Sequence, residues 1–209
     1  WGDLDLDGFP ELFVANYLDY NIANARTCGD VARGIRAYCQ PELYDGVADI
    51  LYRNVGGLTF EDVSAAAGVA NATDGKGLGV AIVDTDGDQL PDIYVANDGT
   101  RNFLHANRGA LRFEDQGLFS GSGLSVNGVP QSGMGVAVGD MDGDGLPEIG
   151  VTNFETQAIN MYRSTAPGLF LDETFRFGIG ERTWNTLGFG LVFVDLDGDG
   201  DRDIVIANG

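Results

Sequence analysis

Four short segments of the chain each place four carboxylates within nine residues. They begin at Asp3, Asp84, Asp140 and Asp195, and each carries acids at its first, third, fifth and ninth positions. Carboxylate oxygens at alternate positions of a tight loop are ligands that Ca²⁺ takes in proteins. Because Asp and Gly also favour plain solvated turns, one such segment would be ambiguous, but four copies indicate cation sites.

The segments differ from EF-hand loops, because their twelfth position is apolar and the closing carboxylate stands at the ninth. The predicted carboxylate ligands are Asp3, Asp5, Asp7, Glu11, Asp84, Asp86, Asp88, Asp92, Asp140, Asp142, Asp144, Glu148, Asp195, Asp197, Asp199 and Asp203. A main-chain oxygen is expected from the seventh position, which is Phe9, Leu90, Leu146 and Asp201. Mg²⁺ fits less well because it keeps its waters, and Zn²⁺ would need a Cys/His cluster. The sequence therefore predicts about four calcium sites.

The acidic segments belong to a larger repeat. Their starts at residues 3, 84, 140 and 195 are separated by 81, 56 and 55 residues. A short apolar run precedes the loop, a second follows it, and two further runs complete a unit of four strands, here called A to D, with the loop between A and B. A four-stranded unit that recurs about every 55 residues predicts an all-β fold of antiparallel β-propeller blades, and a sandwich with decorated hairpins is the alternative.

The repeat also predicts where the blades lie. Residues 1–62 form a partial first blade with an insertion at about 18–49, and residues 77–115 and 133–172 form the second and third blades. Residues 187–209 form the first half of a fourth. Propellers close with roughly 4 to 8 blades, so we expect an incomplete ring in a processed or partial chain, completed by further sequence or by neighbouring chains.

The charge balance excludes several classes of partner. The 209 residues hold 32 acids against 12 Lys and Arg, a formal charge of −20. Nucleic acid and anionic lipid are not expected as partners, because binding them begins with basic patches. Since no run of eighteen apolar residues is present, the sequence predicts no membrane-spanning helix.

The loops and their flanks resemble a known group of proteins. A D-x-D-x-D-G-x-x-D loop before a strand ending in Ala-Asn resembles the FG-GAP/VCBS repeats of integrin-α-type propellers. The segments Val14–Tyr17, Tyr38–Pro41, Leu51–Asn54 and Phe60–Val63 are similar to those of the bacterial cartilage-acidic-protein-like proteins, whose repeats often precede an ASPIC/UnbV domain. No ASPIC/UnbV segment is present in this sequence. The resemblance implies a secreted calcium-binding propeller and no defined reaction.

The insertion of the first unit contains both cysteines, Cys28 and Cys39. A disulfide can close the loop between them, and two free thiols in a reducing cell are the alternative. If the chain is an exported calcium protein, its oxidising surroundings favour the disulfide. In a blade of alternating strands the insertion lies on the face opposite the acidic loops, together with the long D–A connections, and loops gathered on one face are where partners usually bind.

The sequence shows no catalytic constellation, so we predict that the chain is not an enzyme. His105 is the single histidine, and its place in strand C indicates packing. No Gly-x-Ser-x-Gly or Walker-type loop is present, and a saturated calcium cage leaves no coordination site for a substrate.

The function predicted from these features is that of an extracellular calcium-binding propeller module, secreted or at the cell surface, with a structural, adhesive or assembly role. Its expected partner is another protein or a second copy, and a glycan is a further candidate. One alternative is a subunit of a head-to-tail extracellular filament whose blades are completed between chains. Another is a carbohydrate-binding or carbohydrate-active domain that uses the face opposite the calcium loops.

Overall fold

The computed structural model describes residues 1–209, apart from the side chain of Asn24, and is nearly all β. Its strands are β1 (Leu12–Val14), β2 (Ile50–Asn54), β3 (Phe60–Asp62), β4 (Gly77–Val83), β5 (Asp92–Asn97), β6 (Phe103–Asn107), β7 (Phe113–Asp115), β8 (Gly133–Gly139), β9 (Glu148–Asn153), β10 (Asn160–Ala166), β11 (Leu169–Asp172), β12 (Gly188–Val194) and β13 (Asp203–Asn208). Short runs rich in Val and Ile, bounded by Gly, Asn and Asp, favour this structure.

The strands form four antiparallel sheets in chain order. The orders are β1-β2-β3, β4-β5-β6-β7, β8-β9-β10-β11 and β12-β13. The second and third sheets each contain the predicted strands A to D, the first contains B to D, and the last contains A and B. The predicted propeller-like fold is confirmed, and the described residues form no closed barrel.

Short helices lie in the connections. The segment from strand D to the next strand A holds one four-residue helix in each unit: α1 (Ser64–Ala67), α2 (Gly117–Ser120) and α3 (Gly180–Thr183). 3₁₀ turns span Ile22–Asn24, Val31–Arg33, Pro41–Leu43 and Val69–Asn71. No helix in the described residues is long and apolar enough to cross a membrane.

The core lies between consecutive sheets. Leu51, Ile93 and Phe103 belong to a buried cluster that joins the first sheet to the second. Tyr94 and Ile149 belong to the cluster between the second and third sheets, and Phe193 brings the fourth sheet against the third. Each sheet therefore buries its apolar side chains against its neighbours, as blades of a propeller do.

The A strands of neighbouring units touch through their backbones. β8 packs against both β4 and β12. A Cβ at Gly79 would lie 2.2 Å from the carbonyl oxygen of Met134, and a Cβ at Gly135 would lie 2.4 Å from that of Phe189. Only glycine allows these distances, so the spacing between neighbouring A strands depends on residues without side chains.

The insertion of the first unit is anchored to the second. The Asp19 N–H donates to the Asp45 carbonyl at 2.9 Å and joins the two ends of the insertion. Lys76 Nζ donates to the Pro41 carbonyl at 2.8 Å, and the Tyr17 hydroxyl donates to Asp98 at 2.5 Å. Within the insertion Cys28 and Cys39 form a disulfide.

Asp49, at the end of the insertion, has an unusual environment for a carboxylate. It is buried, its Oδ1 accepts from the Asn16 N–H at 2.8 Å, and its Oδ2 has no hydrogen-bond partner. In the second unit the same place is held by Asn102, whose Oδ1 accepts from the Asn97 N–H. In the third unit Asn160 donates its Nδ2 to Asp172. Burial raises the pKa of Asp49 from 3.8 to about 6.

We predict that Asp49→Asn stabilises the protein by roughly 1 kcal/mol at neutral pH, because it removes a buried charge with an unpaired oxygen. The native carboxyl binds a proton that the unfolded chain has released between pH 3.8 and about 6, so the wild type loses stability as pH rises through this interval. The Asp49→Asn variant does not lose stability in this way as the pH rises. Urea unfolding at pH 4, 5, 6 and 7 should therefore show a difference between the two proteins that grows with pH.

Asp45→Asn is the matched control, because Asp45 lies in the same insertion with its side chain exposed. Its effect should stay within about 0.5 kcal/mol at each pH. An Asp49→Asn protein as stable as this control at pH 7 would contradict the interpretation.

Candidate metal centres

Each acidic loop connects two antiparallel strands whose register fixes its ends. Val83 pairs with Asp92, Gly139 with Glu148, and Val194 with Asp203. In the first loop Gly2 and Glu11 form an isolated bridge in the corresponding place. The acid at the ninth loop position is therefore the first residue of strand B in the last three units, and it directly precedes β1 in the first.

The backbone of the loops is left-handed at the fourth and sixth positions. Glycine fills most of these places, with φ of 75° at Gly143 and 88° at Gly145 in the third loop. Leu6 and Gln89 adopt the same conformation with φ of 60° and 72°. A left-handed residue with a side chain costs roughly 1–2 kcal/mol, so other contacts must hold the first two loops in this shape.

The carboxylate at the first position accepts hydrogen bonds from the backbone of its own loop. In the third loop Asp140 accepts from the Gly143 N–H at 2.7 Å and from the Gly145 N–H at 3.0 Å. Asp195 repeats this pair with Gly198 and Gly200. These bonds wrap the loop around the first carboxylate.

The carboxylate at the ninth position joins the loop to strand C. Glu148 accepts from the Met141 N–H at 2.7 Å and from the Ser164 N–H, on β10, at 3.3 Å. The same two-sided arrangement recurs in the first two units: Glu11 accepts from Leu4 and Asn54, and Asp92 from Thr85 and Asn107. These three carboxylates are fully buried, and burial raises the pKa of each.

Each loop brings three carboxylates together. In every set, one oxygen per residue lies within 4.8 Å of the others. The sets are Asp3, Asp5 and Glu11; Asp84, Asp86 and Asp92; Asp140, Asp142 and Glu148; Asp195, Asp197 and Asp199. Two oxygens that bind one Ca²⁺ at about 2.4 Å can be at most about 4.8 Å apart, so the sets have the size of a calcium shell.

The remaining predicted ligands lie outside these sets. They are Asp7, Asp88 and Asp144 at the fifth position and Asp203 at the ninth position of the fourth loop. The fifth carboxylate accepts from the N–H of the seventh residue, with distances of 2.9, 2.8, 2.8 and 2.9 Å for Phe9, Leu90, Leu146 and Asp201. Coordination by these acids and by the seventh carbonyl stays a prediction.

Few cations of the protein approach the loops. Arg53 lies 3.2 Å from Asp5 and 3.7 Å from Asp7, and Arg108 lies 3.5 Å from Asp86. In the part of the chain that the structure describes, no arginine or lysine pairs with the third or fourth loop. Asp5 Oδ1 is also buried without a hydrogen-bond partner. An oxygen-only donor set with an unsatisfied buried carboxylate fits a hard divalent cation such as Ca²⁺.

Sequence reasoning missed the residue that connects two of these loops. Asn107 ends β6 and donates its Nδ2 to Pro91 O at 3.0 Å and to Leu4 O at 2.8 Å. Asn54 makes the equivalent bond to Pro10 O at 3.2 Å. The recurrence of Asn at the end of strand C was the available signal, and only the packing of two units shows that Asn107 reaches the neighbouring loop.

His105 lies inside the protein, away from the loops. Its ring packs against Phe13 and Phe103, with centroids 6.1 and 5.5 Å away. It is buried, and burial lowers its pKa from 6.5 to about 4. At neutral pH the imidazole is therefore an uncharged core residue, in line with the packing role predicted from its place in strand C.

Comparison with known proteins agrees with this architecture. Residues 84–151, from the second acidic loop into the strand after the third, match the family described as FG-GAP-like repeat. The chain is 35% identical to human cartilage acidic protein 1 and 31% identical to the mouse protein, each over 142 residues. The match covers 68% of this chain but only 18% and 19% of those proteins, so the chain spans about a fifth of their length.

We predict that Glu148→Ala destabilises the protein by roughly 2 kcal/mol even without calcium, because it leaves two buried N–H groups, of Met141 and Ser164, unpaired. The free energy of unfolding in excess chelator is the measurement. Glu181→Ala, at an exposed position, is the control and should change it by less than about 0.5 kcal/mol. Equal effects of the two substitutions would show that the ninth carboxylate does not connect loop and blade.

Proposed function

We propose that this chain, which belongs to the FG-GAP-like repeat proteins, is an extracellular calcium-binding propeller segment whose blades are stabilised by bound calcium. The observation that carries the proposal is the fourfold recurrence of three clustered carboxylates in a loop between strands A and B. The proposed ligands are these twelve acids, the four remaining acids Asp7, Asp88, Asp144 and Asp203, and the main-chain carbonyl oxygens at the seventh loop position.

Electrostatics supports a structural role for the cation. The chain carries −20, and four divalent ions would reduce this to −12. Without cations the clustered carboxylates repel one another, and Arg53 and Arg108 reach only the first two loops. A cation that binds only the folded loops adds its binding free energy to the stability of the fold.

The magnitude is large on the scale of one domain. Extracellular calcium modules have Kd values on the order of 10⁻⁴–10⁻³ M. At ten times Kd each site adds about 1.4 kcal/mol, and four sites together about 6 kcal/mol. That sum is comparable to the whole stability of an ordinary domain.

A secreted location and a non-enzymatic role belong to the same proposal. The Cys28–Cys39 disulfide favours an oxidising compartment. The curated relatives bear the name cartilage acidic protein, which names a tissue rich in extracellular matrix and no reaction. We propose an adhesive or structural module whose partner is another protein or a second copy of the chain.

The test is thermal unfolding with calcium titrated from zero to several millimolar after chelation. For a chain of this size we expect the Tm to rise by roughly 10 °C or more at saturation, with much less from magnesium. Isothermal titration on the same samples gives the number of ions bound per chain.

The variant Asp140→Asn/Asp142→Asn removes two carboxylates of one cluster. It should bind one ion fewer and lose about a quarter of the calcium-dependent gain. Glu155→Gln/Glu181→Gln, at two exposed positions, changes the charge equally and should keep the full gain. A Tm that does not respond to calcium would refute the proposal.

A further inference from the structure

The insertion of the first unit contains a cleft that the calcium loops do not use. The cleft has a volume of about 260 Å³ and is lined by Asp19, Asn21, Arg26, Leu43, Tyr44 and Asp45. We propose that this cleft binds one ring of a neutral carbohydrate. The inference goes beyond the calcium role and concerns the opposite face of the blades.

The two sides of the cleft are held in place. The Asp19 N–H donates to the Asp45 carbonyl at 2.9 Å and so joins two of its lining segments. The Pro41–Leu43 turn, which directly precedes Tyr44, is tied to the second unit by Lys76 Nζ through the Pro41 carbonyl at 2.8 Å. The neighbouring Cys28–Cys39 disulfide restricts the rest of the insertion. A site held this way loses less entropy when a ligand binds.

Tyr44 lines the cleft, and Tyr20, outside the lining, packs against the Tyr44 ring. The Tyr20 and Tyr44 rings are 5.9 Å apart and inclined by 58°, and the Arg26 guanidinium lies 5.9 Å from the centroid of Tyr44. Tyr20 is 55% exposed. Tyrosine presents an apolar face together with a polar hydroxyl. The C–H face of a sugar ring packs against such a surface while its hydroxyls remain hydrogen-bonded.

The polar groups of the cleft match hydroxyl groups. The side chains of Asp19 and Asp45 are exposed, and within the described residues neither makes a hydrogen bond or an ion pair. Two carboxylates offer acceptors, Arg26 offers donors, and the Asn21 amide offers donors. Hydroxyls of a sugar both donate and accept, so one ring satisfies both kinds of group, and bonds to charged groups are the stronger ones.

The net negative charge of the cleft disfavours anionic ligands. Asp19, Asp45 and Arg26 sum to −1, so a sulfate or uronate group would meet net repulsion inside it. Arg33 and Arg36 lie outside the cleft and are exposed, and Arg33 pairs with Asp30 at 3.3 Å, so a polyanion attracted by these two arginines would bind away from the cleft. These two sets of side chains make the neutral and the anionic ligand separable by mutation.

The experiment measures binding of maltohexaose, cellohexaose and mannohexaose by isothermal titration in millimolar calcium, with heparin as an anionic probe. At least one neutral hexaose should bind the wild type. Asp19→Asn/Asp45→Asn should weaken that binding by about tenfold or more, and Arg26→Ala should also weaken it. Glu155→Gln/Glu181→Gln, with the same charge change outside the cleft, should bind within about twofold of wild type.

Three results would overturn the inference. The first is no binding of any neutral hexaose at millimolar concentration by protein with a wild-type Tm. The second is neutral binding that the cleft variants leave unchanged. The third is binding of heparin alone, abolished by Arg33→Ala/Arg36→Ala, which would assign the insertion to anionic glycans. Each of these can occur while the calcium-dependent Tm is intact, so this failure is distinguishable from a failure of the calcium proposal.

Discussion

The buried carboxylate at the ninth loop position is the contact on which each of the first three units depends. It begins strand B or directly precedes it, and it accepts one N–H from the loop and one from strand C. In a cation-free loop this arrangement carries a cost, since burial raises the pKa of the same carboxyl. A group that holds the blade together is thus also one that a cation or a proton must neutralise. The contacts that hold the blade and the carboxylates that could bind a cation therefore belong to one cluster of atoms.

The fourth loop shows how the position of the ninth acid depends on a neighbouring strand C. Asp203 accepts from the Leu196 N–H at 3.0 Å, as the other ninth acids do from their own loops, but its side chain is exposed. No strand C lies beside β13 in the described sheets. Correspondingly, the close carboxylates of this loop are Asp195, Asp197 and Asp199, and the ninth acid is not among them. Burial by strand C therefore accompanies the inward position of the ninth acid in the first three units.

Much of this architecture is predictable from the sequence because it recurs. Four copies of one loop between short apolar runs fix the strand order A to D, and the observed strands β4 to β11 follow it. Strand B ends at an Asn in the last three units, at Asn97, Asn153 and Asn208, but in the first unit β1 ends at Val14, two residues before Asn16. Asn16 lies beyond the strand and bonds to the insertion, through Ala48 O and Asp49, while its carbonyl accepts from the Gly77 N–H.

Features that depend on contact between units carry no periodic signal. The bond from Asn107 to the first loop and the unpaired buried oxygen of Asp49 both require the packed structure to be known. The cleft of the insertion likewise occurs once, so no repeat indicates it. Local residue types predicted the acidic loops, whereas the choice of which three acids lie together depended on the folded backbone.

The glycines of the A strands have a consequence for how units can be added to such a protein. Because Gly79 and Gly135 let one backbone lie directly against the next, the distances from β4 to β8 and from β8 to β12 are set by main chain rather than by side chains. A duplicated unit that retains this glycine can form the same backbone contact with the next A strand. It can therefore be inserted without changes in the neighbouring units. A single methyl group at that place would widen one step, and the change in angle between sheets would be passed to every later unit. The glycine of strand A thus acts as a spacer of fixed length. A repeat can be copied to extend the array only if the copy keeps this glycine.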